Sequence, residues 1–93
     1  MMIKAIGSNG AVTGTGFVQL DTKILGGILV TADGTNDATV ILRLVTTTGK
    51  QIFDLTTKSP TFIAAPISLE GNNIMYYEIT GTGASALFYE WIE

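Results

Sequence analysis

The 93-residue chain has no cysteine and no histidine. Without cysteine there is no disulfide, no thiol nucleophile and no iron–sulfur ligand set. Without histidine there is no Ser–His–Asp triad, no imidazole base and no facial-triad metal site. Together the two absences remove the ligands that structural zinc uses. Charge is also sparse. Five Lys or Arg and eight Asp or Glu make 14% of the chain, against about 25% in an ordinary soluble domain. The five basic residues, Lys4, Lys23, Arg43, Lys50 and Lys58, are scattered, and the net charge is −3. Nucleic-acid binding needs a concentrated basic surface to displace counterions from phosphate, so no nucleic-acid partner is expected. No apolar run approaches the ~18 residues of a membrane span. The longest, around Ile24–Val30, is broken by Gly26 and Gly27, and no membrane partner is expected. The first seven residues lack an apolar core of signal-peptide length, and there is no N-x-S/T sequon. The expectation is a chain made and kept in a cytoplasm, or assembled there.

What is present is β-branched and apolar. Thr, Ile and Val supply 30 of 93 residues, and 46% of the chain is hydrophobic. Stiff χ1 torsions disfavour a helix and suit a pleated sheet. Clusters of turn residues recur along the chain: Gly7-Ser8-Asn9-Gly10, Asp33-Gly34-Thr35-Asn36-Asp37, Thr48-Gly49-Lys50, Gly71-Asn72-Asn73 and Gly81-Thr82-Gly83. That pattern predicts a single all-β domain over residues 1–93. Eight strands are expected: Met2–Ile6, Gly16–Asp21, Ile24–Ala32, Ala38–Thr46, Gln51–Thr56, Thr61–Leu69, Ile74–Thr80 and Ser85–Ile92. Pro66 cannot donate to a ladder, so the sixth strand is an edge, a bulge or a break; a break splits it in two. Gly14-Thr15-Gly16 reads as a flexible turn. Two hairpins are expected, one joining strands three and four through Asp33–Asp37, one joining the last two strands across Gly81–Ala84. A third turns at Thr47–Lys50. The architecture is an antiparallel eight-strand jelly roll or a related two-sheet β-sandwich. An immunoglobulin-like sandwich fits less well, because Trp91 sits at the end instead of in an early core strand.

The apolar residues exceed one interior. Val40, Leu42 and Leu44 share one face of strand four, and Ile41, Arg43 and Val45 share the other. In the last strand Ala86, Phe88, Glu90 and Ile92 oppose Leu87, Tyr89 and Trp91. An antiparallel sheet ordinarily alternates apolar and polar; strands three and four of the expected eight are apolar on both faces apart from Arg43, and strand eight is similar apart from Glu90. The residues Ile41, Arg43, Val45, Leu87, Tyr89 and Trp91 are therefore the candidate interface with another subunit or a shell, since obligate interfaces resemble a core cut in half.

Other constellations are weaker. Gly81-Thr82-Gly83-Ala84-Ser85-Ala86 fits G-x-G-x-x-A, but a dinucleotide loop needs a helix after it, and Phe88, Tyr89, Trp91 and Ile92 favour a strand. Asp33–Asp37 offers oxygen ligands for a weak calcium site or, more simply, an Asx turn. Leu44 stands where an EF-hand needs its terminal Glu. Glu78 and Glu90, on neighbouring strands of the expected last hairpin, are a conceivable glycosidase pair. Arg43, the sole Arg, should pair with a carboxylate in the same chain or a neighbour, or hold an anion. Tyr76, Tyr77, Phe88, Tyr89 and Trp91 can serve as core, as subunit interface or as a carbohydrate platform. The chain reads as non-enzymatic, with no cofactor and no metal.

The stretch Gly26–Val40, the Thr48-Gly49 turn, Phe62-Ile63-Ala64-Ala65-Pro66-Ile67 and Gly81–Ala86 resemble small all-β virion proteins of tailed bacteriophages. The resemblance spans most of the chain. It implies a capsid decoration (cement) or head knob protein, often trimeric, located on the virion after assembly in the host cytoplasm. Its partners would be further copies of itself and the major capsid protein or another virion protein. An alternative within the same setting is a receptor- or glycan-binding module of a tail or head fibre.

Overall fold

A computed structural model describes residues 2–6, 11–64 and 66–92. The expected turn Gly7–Gly10 lies outside the described residues. Among the described residues nine strands form: β1 Met2–Ala5, β2 Gly14–Gln19, β3 Ile24–Thr31, β4 Ala38–Leu44, β5 Gln51–Thr57, β6 Thr61–Ile63, β7 Ile67–Ser68, β8 Ile74–Thr80 and β9 Ser85–Ile92. The extra strand arises as the proline argument anticipates. The ladder stops at Ile63 and resumes at Ile67, past Pro66, with β6 and β7 both on the open side of β3. β2 begins two residues early, so Gly14-Thr15-Gly16 is strand and not turn. Gly16 is glycine for a packing reason: a Cβ there would stand 2.6 Å from the Tyr77 hydroxyl.

The strands make an antiparallel two-sheet sandwich. One sheet orders β1-β9-β3-β6, with β7 also on β3; the other orders β2-β8-β4-β5. The pairs are nested. β1 meets β9, β2 meets β8, β3 meets β6 and β7, and β4 meets β5. A ribbon of four such pairs, folded over on itself, is how a jelly roll is wound. This nesting corrects two of the three expected hairpins. β3 and β4 do not pair, and neither do β8 and β9; each connection arches from one sheet to the other. Only the β4–β5 hairpin forms. The two arches lie against each other. A Cβ on Gly81 would collide with the Asp37 carbonyl, and one on Gly83 would come 3.0 Å from Asp33 Cβ. Both glycines have positive φ, 117° and 74°, a region open to glycine without penalty.

The core tapers. Ala32, Ala38, Ala84 and Ala86 are buried at the end where the arches draw the sheets together. Leu20, Leu25, Leu69 and Met75 are fully buried at the other end. Each such Leu or Met contributes roughly 1.5–3 kcal/mol by leaving water. In β3 the register shifts between Leu25 and Gly27. That bulge resets the alternation: Leu25 and Ile28, three residues apart, both point into the core at 0% exposure. Gly26 and Gly27 fall together on the outside.

Glu90 also points inward, at 7% exposure. Its carboxylate accepts the Thr22 backbone N–H at 3.0 Å and the Thr22 hydroxyl at 3.3 Å. A buried carboxylate is tolerated because it is hydrogen-bonded, and here it ties the β2–β3 connection to the last strand.

Candidate functional site

Cross-strand partners share a face, so the register defines both outer surfaces. On the five-stranded sheet, Ile3 stands beside Trp91, Ala5 beside Tyr89, Tyr89 beside Gly27, and Leu87 beside Leu29. Leu29 in turn pairs with Phe62. The Phe62 and Tyr89 rings meet edge to face, with centroids 5.4 Å apart. They do so over Gly27, where a Cβ would lie 2.9 Å from Phe62 Cζ. Ile3 covers Gly26 in the same way, its Cγ2 2.7 Å from the place of a Cβ. Two glycines thus form a shallow floor that the Phe62 and Ile3 side chains cover. None of the named residues carries a charge. Phe62 remains 43% exposed and Ile3 36%.

The outer face of the four-stranded sheet is different. Ile41 sits between Glu78 and Asp54. Thr39 lies between Thr56 and Thr80, and the Thr39 and Thr56 hydroxyls are 3.0 Å apart. Arg43 Nε donates to Glu78 Oε1 at 3.1 Å, and Arg43 Nη1 reaches the Gly49 carbonyl at 3.4 Å. The expected carboxylate partner of Arg43 is thus in its own chain. Apolar exposure on this face is confined to its β2 side, where Phe17 and Tyr76 are in ring contact and Ile74 is exposed.

The six candidate interface residues therefore do not form one surface. Leu87, Tyr89 and Trp91 are together on the outer face of the five-stranded sheet. Ile41 and Arg43 are on the opposite side of the molecule, in polar company. Val45 lies on neither, because β4 ends at Leu44 and Val45 turns away with φ 65°. Leu29, Phe62 and Ile3 complete the apolar face and were not among the candidates. For Leu29 the signal is the Gly26-Gly27 pair with Leu25 and Ile28 on either side, the mark of a bulge; Phe62 and Ile3 join the face only through the pairing of β6 and β1.

The five aromatic residues divide as well. Tyr77 and Phe88 are core, Tyr76 lies on the polar face, and Tyr89 and Trp91 lie on the apolar one. Glu78 and Glu90 belong to different sheets, one outside and one inside. They are not a facing pair, and each is engaged, with Arg43 and Thr22 respectively. The Asp33 loop is an Asx turn. One carboxylate oxygen accepts the Asn36 and Thr35 N–H groups at 2.7 and 2.8 Å, and the other accepts the Asn36 side-chain amide. Those donors, the Asn36 backbone first, hold the Asp33 carboxyl below its ordinary value. Among the described residues no three Asp or Glu side chains converge as metal ligands. Gly81–Ala84 is the β8–β9 arch, and Ser85 opens a strand, where a dinucleotide loop would open a helix.

Comparison with known protein families, curated proteins and solved structures finds no match.

Proposed function

We propose that this chain is a non-enzymatic structural protein that works by assembly through the outer face of its five-stranded sheet. The observation that carries the reading is the uncharged surface of Ile3, Trp91, Tyr89, Leu87, Leu29 and Phe62. A contiguous apolar patch on a small domain marks an interaction site. The same patch built of flat, rigid aromatic and aliphatic groups suits a protein partner, where such residues dominate binding energy. The concrete form proposed is a capsid decoration protein of a tailed bacteriophage, acting as a small cyclic oligomer, a trimer, on the virion surface. That assignment rests on the sequence resemblance, and the nested pairing of the sandwich is compatible with it. A ring requires a heterologous contact, which one apolar face meeting a different part of the next copy supplies. Repetition over a symmetric shell then multiplies a modest single-site affinity.

Light scattering behind size exclusion tests the assembly. The expected mass at micromolar concentration is a multiple of the 9.8 kDa chain, three for the trimer. A stable 9.8 kDa species under those conditions overturns the oligomer.

A further inference from the structure

β2 is an edge strand, with β8 on one side and no described strand on the other. The Leu20 N–H donates to the Asn73 carbonyl at the end of this ladder. Antiparallel alternation then turns the main-chain groups of Gly16 and Val18 toward β8, and those of Thr15, Phe17 and Gln19 outward. Open edges invite pairing, and proteins guard them with charge, proline, shortness or bulges. The other three edges are guarded here. β6 has three residues and β7 two, flanked by Pro60 and Pro66. β1 has four residues and an exposed Lys4. β5 carries Asp54, and a register shift lies in its ladder with β4. β2 has no such device. It reads Gly-Thr-Gly-Phe-Val-Gln, six residues without charge or proline. Phe17 on it is 56% exposed, more than any other large hydrophobic side chain among the described residues.

We infer that β2 pairs antiparallel with β2 of a second copy of this chain, about a two-fold axis at Phe17. Charge singles out β2 for self-pairing among the longer edges. A two-fold antiparallel pair sets a strand against itself, so β1 would bring Lys4 toward Lys4 and β5 would bring Asp54 toward Asp54, which is unfavourable. β2 brings Phe17 opposite Phe17 and Thr15 opposite Gln19 twice. This is the register in which all the outward main-chain groups of the three residues find partners. The two four-stranded sheets become one continuous sheet. Each Phe17 ring already lies 5.1 Å from Tyr76, so four aromatic rings line up across the axis. The contact uses an edge, not the apolar face proposed for ring assembly, and its symmetry is isologous.

The absence of native cysteine makes the register readable in the full chain. Opposed Cα atoms of a hydrogen-bonded pair are about 5.5 Å apart, inside the roughly 4.4–6.8 Å span of a disulfide. Phe17→Cys should oxidise to a covalent dimer on a non-reducing gel. Thr15→Cys should not, because its twin stands roughly 14 Å away along the strand. A mixture of Thr15→Cys and Gln19→Cys should give the heterodimer. Circular dichroism checks that each variant is folded. In the same assay Leu87→Asp, combined with Phe17→Cys, should leave the cross-link intact, which separates this contact from the apolar face. A folded Phe17→Cys that stays monomeric, equal cross-linking at Thr15→Cys, or loss of the cross-link with Leu87→Asp each overturns the inference.

Discussion

The two outer faces of the sandwich rest on the same strand period and face the same solvent, yet they are chemically unlike. One is an uncharged surface of Phe62, Tyr89, Leu29, Leu87, Ile3 and Trp91, in which Phe62 and Ile3 lie over two glycines. The other is threonine, an Arg43–Glu78 ion pair and Ile41 between two carboxylates, with its exposed apolar groups confined to Phe17, Tyr76 and Ile74 along the β2 side. A face that is only solvated tolerates scattered apolar residues. A face that joins another molecule excludes charge over a contiguous area. The difference teaches that alternation in the sequence is not enough to find an interface; what matters is which neighbouring strands place their outer residues beside one another.

Matched substitutions test that contrast most sharply. Leu29→Asp on the apolar face should eliminate ring assembly, read in light scattering as a fall to no more than the two-chain mass that the β2 edge contact holds, while circular dichroism stays native. Ile41→Asp on the polar face should leave assembly unchanged. If both or neither dissociate, the two faces are not functionally distinct. Next in size is Gly27→Leu. Its side chain would strike Phe62 and the Ile63 carbonyl, and overpacking of this kind costs about 1–3 kcal/mol. Urea denaturation should show that loss, whereas Thr39→Leu on the other face should stay within about 0.5 kcal/mol.

Val45 comes third. A β-branched residue at φ 65° is strained, by about 1–3 kcal/mol. Val45→Asn should raise the denaturation midpoint without altering assembly; a loss of assembly would return Val45 to the interface. Fourth, a double-mutant cycle on Arg43 and Glu78 should yield a coupling of about 0.2–1 kcal/mol, because both side chains remain partly exposed, at 28% and 32%. A larger value would mean that the polar face is also covered in the assembly.

The smallest effect is at Asp33. Its folded-state pKa lies below the ordinary 3.8, so the turn's stabilisation is complete above that value. It fades as the pH falls through the folded pKa and protonation removes the acceptor. Protection of the Asn36 amide, taken relative to its intrinsic exchange rate at each pH, should therefore fall under acid, while the same amide in Asp33→Asn should lack that pH step.

The strands were legible in the sequence because apolar alternation and glycine-rich turns mark where pleated segments begin and end. Ala38, Ile74 and Ser85 begin strands at the expected residues. Strand partners were not legible. A loop such as Asp33–Asp37 has the same composition whether it folds back within a sheet or crosses the ~10 Å to the facing one. The interface was half legible. Leu87, Tyr89 and Trp91 keep strict alternation along β9, so their common face could be read directly. Leu29 and Phe62 could not be added without knowing that β3 slips by one residue at Gly26 and that β6 lies alongside.

The nesting of the pairs also has a consequence in time. β9 lies in the middle of the five-stranded sheet, between β1 and β3, although it is the last strand in chain order. During synthesis β1 therefore has no neighbour, and β3 only the short β6 and β7, until β9 has emerged. The sheet that carries the apolar face cannot close early. Distant pairings of this kind form slowly, so the surface best suited to joining other copies is completed only near the end of folding, when the rest of the sandwich is already in place to orient it.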